Sequence, residues 1–110
     1  APVTRYRLKI LIGRALDTPG ILTEDRIAIL GQARDAALTA ISRMPDHKLI
    51  LGVYCEIGIE LYRFAGDYAV YDDAIKRLKV AESVVGDPEI SRIIRRYEGI
   101  MAGQSDVSEA

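Results

Sequence analysis

Apolar residues return along this chain every three or four positions, in runs separated by short clusters of Gly, Pro and Asp, and that rhythm predicts a helical protein. The first long stripe is Ile27, Leu30, Ala33, Ala37, Ile41 and Met44. Thr23 precedes it as a candidate N-cap, Glu24 and Asp25 put negative charge on the first turn, and Leu22 is placed to staple onto Ile27. A helix is therefore expected from Glu24 to about Met44, where Pro45 and Asp46 stop it. Its seam is rich in alanine, which lets a second helix axis approach toward the short end of the usual range of ~8 to 10 Å.

The next segment, from around Asp46 to Ala65, is apolar almost all round, with Glu56, Glu60 and Arg63 as its polar stripe. Such a helix must be covered by neighbours on most of its circumference, so it is expected at the centre of the fold. Gly52 and Gly58 each weaken it by about 1 kcal/mol relative to alanine, a cost that points to close helix contact at both positions. Gly66 is a C-terminal stop and Asp67 the next N-cap. A fourth helix follows over about Tyr68 to Val85, with Ala74, Leu78, Ala81 and Val85 as its buried seam. Gly86 ends it. Asp87, Pro88 and Glu89 then read as N-cap, first-turn proline and first-turn acid of a fifth helix, whose stripe is Ile90, Ile93, Ile94, Tyr97 and Met101 and which closes near Gly103.

The N-terminal segment admits two readings. Tyr6, Leu8, Ile10 and Ile12 alternate with Arg5, Arg7, Lys9 and Leu11 as in a strand, whereas Leu8, Leu11, Ile12, Ala15 and Leu16 follow helical spacing up to the turn at Asp17-Thr18-Pro19-Gly20. Helix is favoured over residues 4–16, because a lone strand would have no partner within the chain. The whole is read as one all-helical domain over 1–103 with a polar, flexible tail at 104–110.

A weak duplication relates the second and fourth segments: Ala33 and Ala40 correspond to Ala74 and Ala81 at equal separation, and Pro45 and Pro88 each introduce the next helix. Ala74, Leu78 and Ala81, preceded by Gly66-Asp67-Tyr68 and by Tyr71-Asp72-Asp73-Ala74-Ile75, resemble the second helix of a tetratricopeptide repeat and the turn before it. The resemblance is carried mainly by the second half of the chain. It implies antiparallel helical hairpins stacked as a short array or bundle of about five helices, in which the first helix of each pair lines a concave face. By the same resemblance, Tyr54, Glu56, Glu60, Tyr62 and Arg63 on the third segment become candidates for partner contacts. The plainer reading is that Glu56, Glu60 and Arg63 form a solvated stripe, with Glu60 pairing to Arg63.

Composition narrows the function further. Hydrophobic residues make up 49% and charged residues 28%, enough for a core and far from the regime of disorder. The net charge is −1, so no global field draws the chain to nucleic acid or to anionic lipid. Arg92, Arg95 and Arg96 form a local basic cluster that could hold an anion, and Arg5, Arg7 and Lys9 would extend it only if the N-terminus folds against the last helix. Nucleic acid ranks last among the partners considered. The most apolar stretch, Leu49 to Ala65, is interrupted by three charges, which argues against a membrane anchor.

One cysteine and one histidine leave no soft-metal ligand set. Cys55 reads as a small core residue and His47 as a residue of a surface turn. No Glu-x-x-His pattern completes a site around Glu56 and Glu60. No cofactor, metal, small-molecule substrate or catalytic residue is expected, and with no secretory signal evident, the location expected is cytoplasmic. The leading expectation is an interaction module, such as an adaptor, a chaperone-like protein or a regulatory subunit, that binds a protein partner. The rival is a structural subunit of a homo-oligomeric, viral or secretion assembly.

Overall fold

Three glycines in the left-handed region mark three of the four chain reversals: Gly20 at φ 70°, Gly66 at φ 69° and Gly86 at φ 71°. Glycine takes this conformation without the steric cost a Cβ would bring, which is why helices so often stop at one. The computed structural model describes the backbone of residues 2–109 and the side chains of residues 5–103. Among them lie five helices and no strand: α1 (Pro2–Asp17), α2 (Thr23–Arg43), α3 (Lys48–Ala65), α4 (Ala69–Val85) and α5 (Pro88–Glu109). The N-terminal segment is thus helical, and the strand reading is set aside.

The ends of the helices differ in detail from expectation. α2 starts at Thr23, with Leu22 at the cap position, no side-chain capping bond, and Leu22 left 59% exposed. The Thr23 cap and the Leu22 staple are therefore not formed. α3 starts at Lys48, and His47, expected to be only a turn residue, caps it by accepting the Ile50 N–H on Nδ1 at 3.4 Å. Asp87, directly before α5, accepts the Glu89 N–H at 2.9 Å as expected, whereas the cap of α4 is Tyr68 rather than Asp67, which accepts the Ala69 N–H at 3.0 Å from one position earlier. The α5 backbone continues past Gly103. The expected tail at 104–110 concerns side chains, and a last residue, outside the described set.

Short connections fold consecutive helices back on one another. α3 is the hub: it packs on α2 and most extensively on α4, and it also touches α1 and α5. The result is two layers, with α1, α3 and α5 side by side in one and α2 and α4 in the other. Extents of 42 × 35 × 18 Å fit two helices of about 10 Å diameter laid one on the other. Eleven residues of α3 are buried, among them Ile50, Leu51, Cys55 and Ile57 at 0% exposure, and so the all-round apolar segment does occupy the centre.

The alanine seams make the layers thin. Ala33 and Ala37 on α2 and Ala74 and Ala81 on α4 are all fully buried, with Leu30 and Leu78 filling the space between. Val85 departs from its expected place in the α4 seam and is 52% exposed, because the helix ends there at Gly86. The two glycines of α3 also separate. A Cβ on Gly58 would fall 2.5 Å from the Tyr71 backbone nitrogen, whereas one on Gly52 would meet only Ile93 and Tyr97 side-chain atoms at 3.8 Å. Gly58 marks a backbone crossing; the close contact expected at Gly52 is an ordinary van der Waals one.

Candidate functional site

The faces of α3 are divided by helical arithmetic. Tyr54, Gly58 and Tyr62 lie four apart and share the face toward α4. Tyr54 is 2% exposed and donates its hydroxyl to Asp73 Oδ2 at 2.7 Å, an oxygen that Arg77 Nε also reaches at 2.8 Å. Burial, and then the bond to Asp73, push the Tyr54 phenol well above its ordinary range. Burial also works to raise the Asp73 carboxyl, but the bonds from Arg77 and Tyr54 outweigh it and hold the group below its usual value. Tyr54 is consequently a core and interhelix residue, and the structure corrects its placement on a contact surface.

Tyr62, half-buried, stands edge-on to Tyr68 at a ring separation of 5.9 Å, and Tyr68 in turn lies 5.2 Å from Tyr71. This aromatic row ties the end of α3 to the start of α4. On a different face of α3, the Arg26 guanidinium sits 4.5 Å above the Phe64 ring and donates from Nε to the Ala15 carbonyl at 2.7 Å, satisfying a free carbonyl at the end of α1.

A second face of α3 carries Leu49, Gly52, Val53, Glu56, Ile59 and Glu60, of which Leu49 and Glu56 are not buried. With Arg5 and Lys9 of α1 and Ile93, Arg96, Tyr97 and Ile100 of α5, and with Lys48 at one end, these residues line a groove of about 360 Å³. Three helices of one layer thus enclose one open trough. Its walls come from the two outer helices and its floor from the central one.

The charges in the groove are partly matched within the chain. Lys9 Nζ is 2.7 Å from Glu56 Oε2. Lys48 bonds Asp87 Oδ2 at 2.7 Å and also Glu89, which ties the start of α3 to the start of α5. The Asp87 carboxyl is lowered first by Lys48 and then by the Glu89 N–H, and Lys48 is raised in return by the two carboxylates. Glu60, at 8% exposure, takes both its oxygens to Arg63 Nη1 at 3.0 Å. The expected Glu60–Arg63 pair is formed, although Glu60 is buried rather than solvated.

Of the residues singled out on α3, then, Glu56 and Glu60 belong to the groove, Tyr54 and Tyr62 face α4, and Arg63 reaches back to Glu60. The arginine cluster is divided as well: Arg96 lines the groove, with its guanidinium 5.8 Å from the Tyr97 ring, while Arg92 and Arg95 are exposed and outside it. Arg5 and Lys9 do join Arg96 across the trough, whereas Arg7 does not line it. Sequence reasoning missed Leu49, Val53 and Ile59 as groove residues. The signal was present as a stripe through Leu49, Gly52, Val53, Glu56 and Ile59, but in a helix apolar all round it does not stand out.

Cys55 is free and fully buried, and burial first, with Glu56 next, pushes its thiol up to about 12. This is the opposite of an activated thiolate. Tyr97, at the groove, is raised to about 12, chiefly by burial and then by Glu56, against the opposing fields of Arg96 and Arg5. No group of three or more His, Cys, Asp or Glu side chains that could hold a metal ion occurs among the described residues, and no helix among them is long and apolar enough to cross a membrane. Compared with protein-family models, with curated proteins and with solved structures, the chain gives no match.

Proposed function

We propose that this chain is a protein–protein interaction module that takes a segment of a partner polypeptide into the groove between α1 and α5. The observation that carries the reading is the groove itself: a trough floored by the buried central helix, walled by two others, with Leu49 and Ile100 exposed among its charged side chains. Exposed apolar side chains set among charged ones suit a recognition surface. The layering of α1, α3 and α5 against α2 and α4 supports a tetratricopeptide-like array, with the first helix of each hairpin on the binding side. On this reading the protein is an adaptor, a chaperone-like protein or a regulatory subunit of the cytoplasm, and no catalysis is assigned to it.

Selection of a displayed random-peptide library against the immobilised chain tests the reading. Leu49 and Ile100 are 43% and 40% exposed at the groove, so Leu49→Arg with Ile100→Arg alters the groove without opening the core. Binders should emerge and lose at least about tenfold in affinity to the double variant, a difference of about 1.4 kcal/mol. Recovery of no binders, or of binders indifferent to the substitutions, overturns the proposal.

A second reading, a subunit of a self-assembling structure, draws on apolar residues exposed elsewhere: Tyr6 and Ile10 on α1, at 68% and 45%, and Val80 and Val84 on α4, at 60% and 67%. Both pairs are four apart and so share a helix face. Light scattering over a wide concentration range separates the readings. A stable closed oligomer favours the second, and a concentration-independent monomer removes it.

A further inference from the structure

The groove has more positive charge than it uses. Arg5, Lys9, Lys48 and Arg96 line it, against the carboxylates of Glu56 and Glu60. Lys9 is matched by Glu56, Lys48 by Asp87 and Glu89, and Glu60 by Arg63 from outside the groove. Arg5 and Arg96 have no ion-pair partner among the described residues. Both are exposed, they stand on opposite walls, and the fields of both reach the Tyr97 hydroxyl. The rest of the lining mixes the Lys9–Glu56 pair with the exposed apolar side chains of Leu49 and Ile100.

Resting on the proposed binding role of this groove, we infer that its occupant is an acidic polypeptide segment, with apolar side chains seated on Leu49 and Ile100 and flanking carboxylates held by Arg5 and Arg96. Guanidinium groups suit this task because they are weakly hydrated and offer forked donors to a carboxylate. A basic segment is disfavoured, since Glu56 and Glu60 are already paired and would have to leave Lys9 and Arg63 to receive it. A phosphate backbone fits poorly too: Glu56 and Glu60 lie in the lining, and affinity of that kind is built from many phosphate contacts. A small free carboxylate would leave Leu49 and Ile100 uncovered. A groove of about 360 Å³ takes a few side chains of such a segment, not a whole helix.

The test uses fluorescence anisotropy on the full chain with four short labelled peptides: acidic with apolar anchors, basic with the same anchors, neutral with the same anchors, and acidic without anchors. The acidic anchored peptide should bind at least about tenfold tighter than each of the others and weaken with added salt. Arg5→Glu with Arg96→Glu should invert the preference toward the basic anchored peptide, while Arg92→Glu with Arg95→Glu, equal in charge but outside the groove, should leave it unchanged. If the neutral or basic anchored peptide binds as tightly, and Leu49→Arg with Ile100→Arg abolishes that binding, the groove binds segments but the acidic occupant is wrong. If the two arginine pairs behave alike, or the anchor-free peptide binds equally, the attraction is diffuse and the inference falls. If no peptide binds and library selection also returns nothing, the binding role fails along with it.

Discussion

Gly58 on α3 meets the backbone of Tyr71 on α4 so closely that an added Cβ would lie 2.5 Å from the Tyr71 nitrogen and 2.6 Å from its Cα. The atoms in the way are backbone, so no side-chain rotation relieves the clash. This crossing sets the distance between the two layers and lets Tyr54 reach Asp73 on one side of it and Tyr62 reach Tyr68 on the other. Gly58→Ala should therefore cost about 3 kcal/mol or more, despite a gain of about 1 kcal/mol in helix propensity. Gly52→Ala, with side-chain atoms at 3.8 Å, should be neutral or slightly stabilising. Urea unfolding of both variants checks the contrast.

Leu78 is fully buried in the α4 seam between Ala74 and Ala81. Leu78→Asp removes packing and leaves an unpaired charge, so the loss should reach at least about 5 kcal/mol, comparable to the whole stability of many domains. Val84→Asp, on the exposed face of the same helix, should change stability by no more than about 0.5 kcal/mol. Circular dichroism melts of the pair decide whether the buried face is correctly placed.

Asp87 caps α5 and also binds Lys48, so one side chain both starts the last helix and docks it against α3. Asp87→Ala should lower the thermal midpoint and speed hydrogen exchange at the Glu89 and Ile90 amides, while Lys48→Met should lower the midpoint less and leave the Glu89 amide protected. Equal exchange in the two variants would contradict the capping role.

Stability should fall on the alkaline side. Burial raises Cys55 from 9.0 to about 12 and Tyr71 and Tyr97 from 10.0 to about 12, and Tyr54 moves the same way. Each group has a folded pKa above its unfolded one, so its contribution is complete below about pH 9 and is lost as pH rises from there toward 12. Asp73 and Asp87 are lowered, so theirs is complete above their ordinary carboxylate range and lost in acid. Thermal midpoints across pH 7 to about 11 should decline from about pH 9 onward. In a spectrophotometric titration of the six tyrosines, Tyr54, Tyr71 and Tyr97 should ionise only with unfolding.

What this chain is at the level of helices was written in its sequence. Periodic apolar stripes, Gly66 and Gly86 as stops, Asp67 and Asp87 at helix starts, and the all-round apolar character of α3 each act within a few residues, so they can be read locally. They gave the helices, the central one and most of the core. Tertiary structure decided which face of α3 was left open. Buried and open faces look alike in a helix apolar all round, and Tyr54 and Glu56, two positions apart, end on different sides of it. Only the folding of α1 and α5 alongside α3 set Arg5 opposite Arg96, because that meeting depends on distances between helices far apart in the chain.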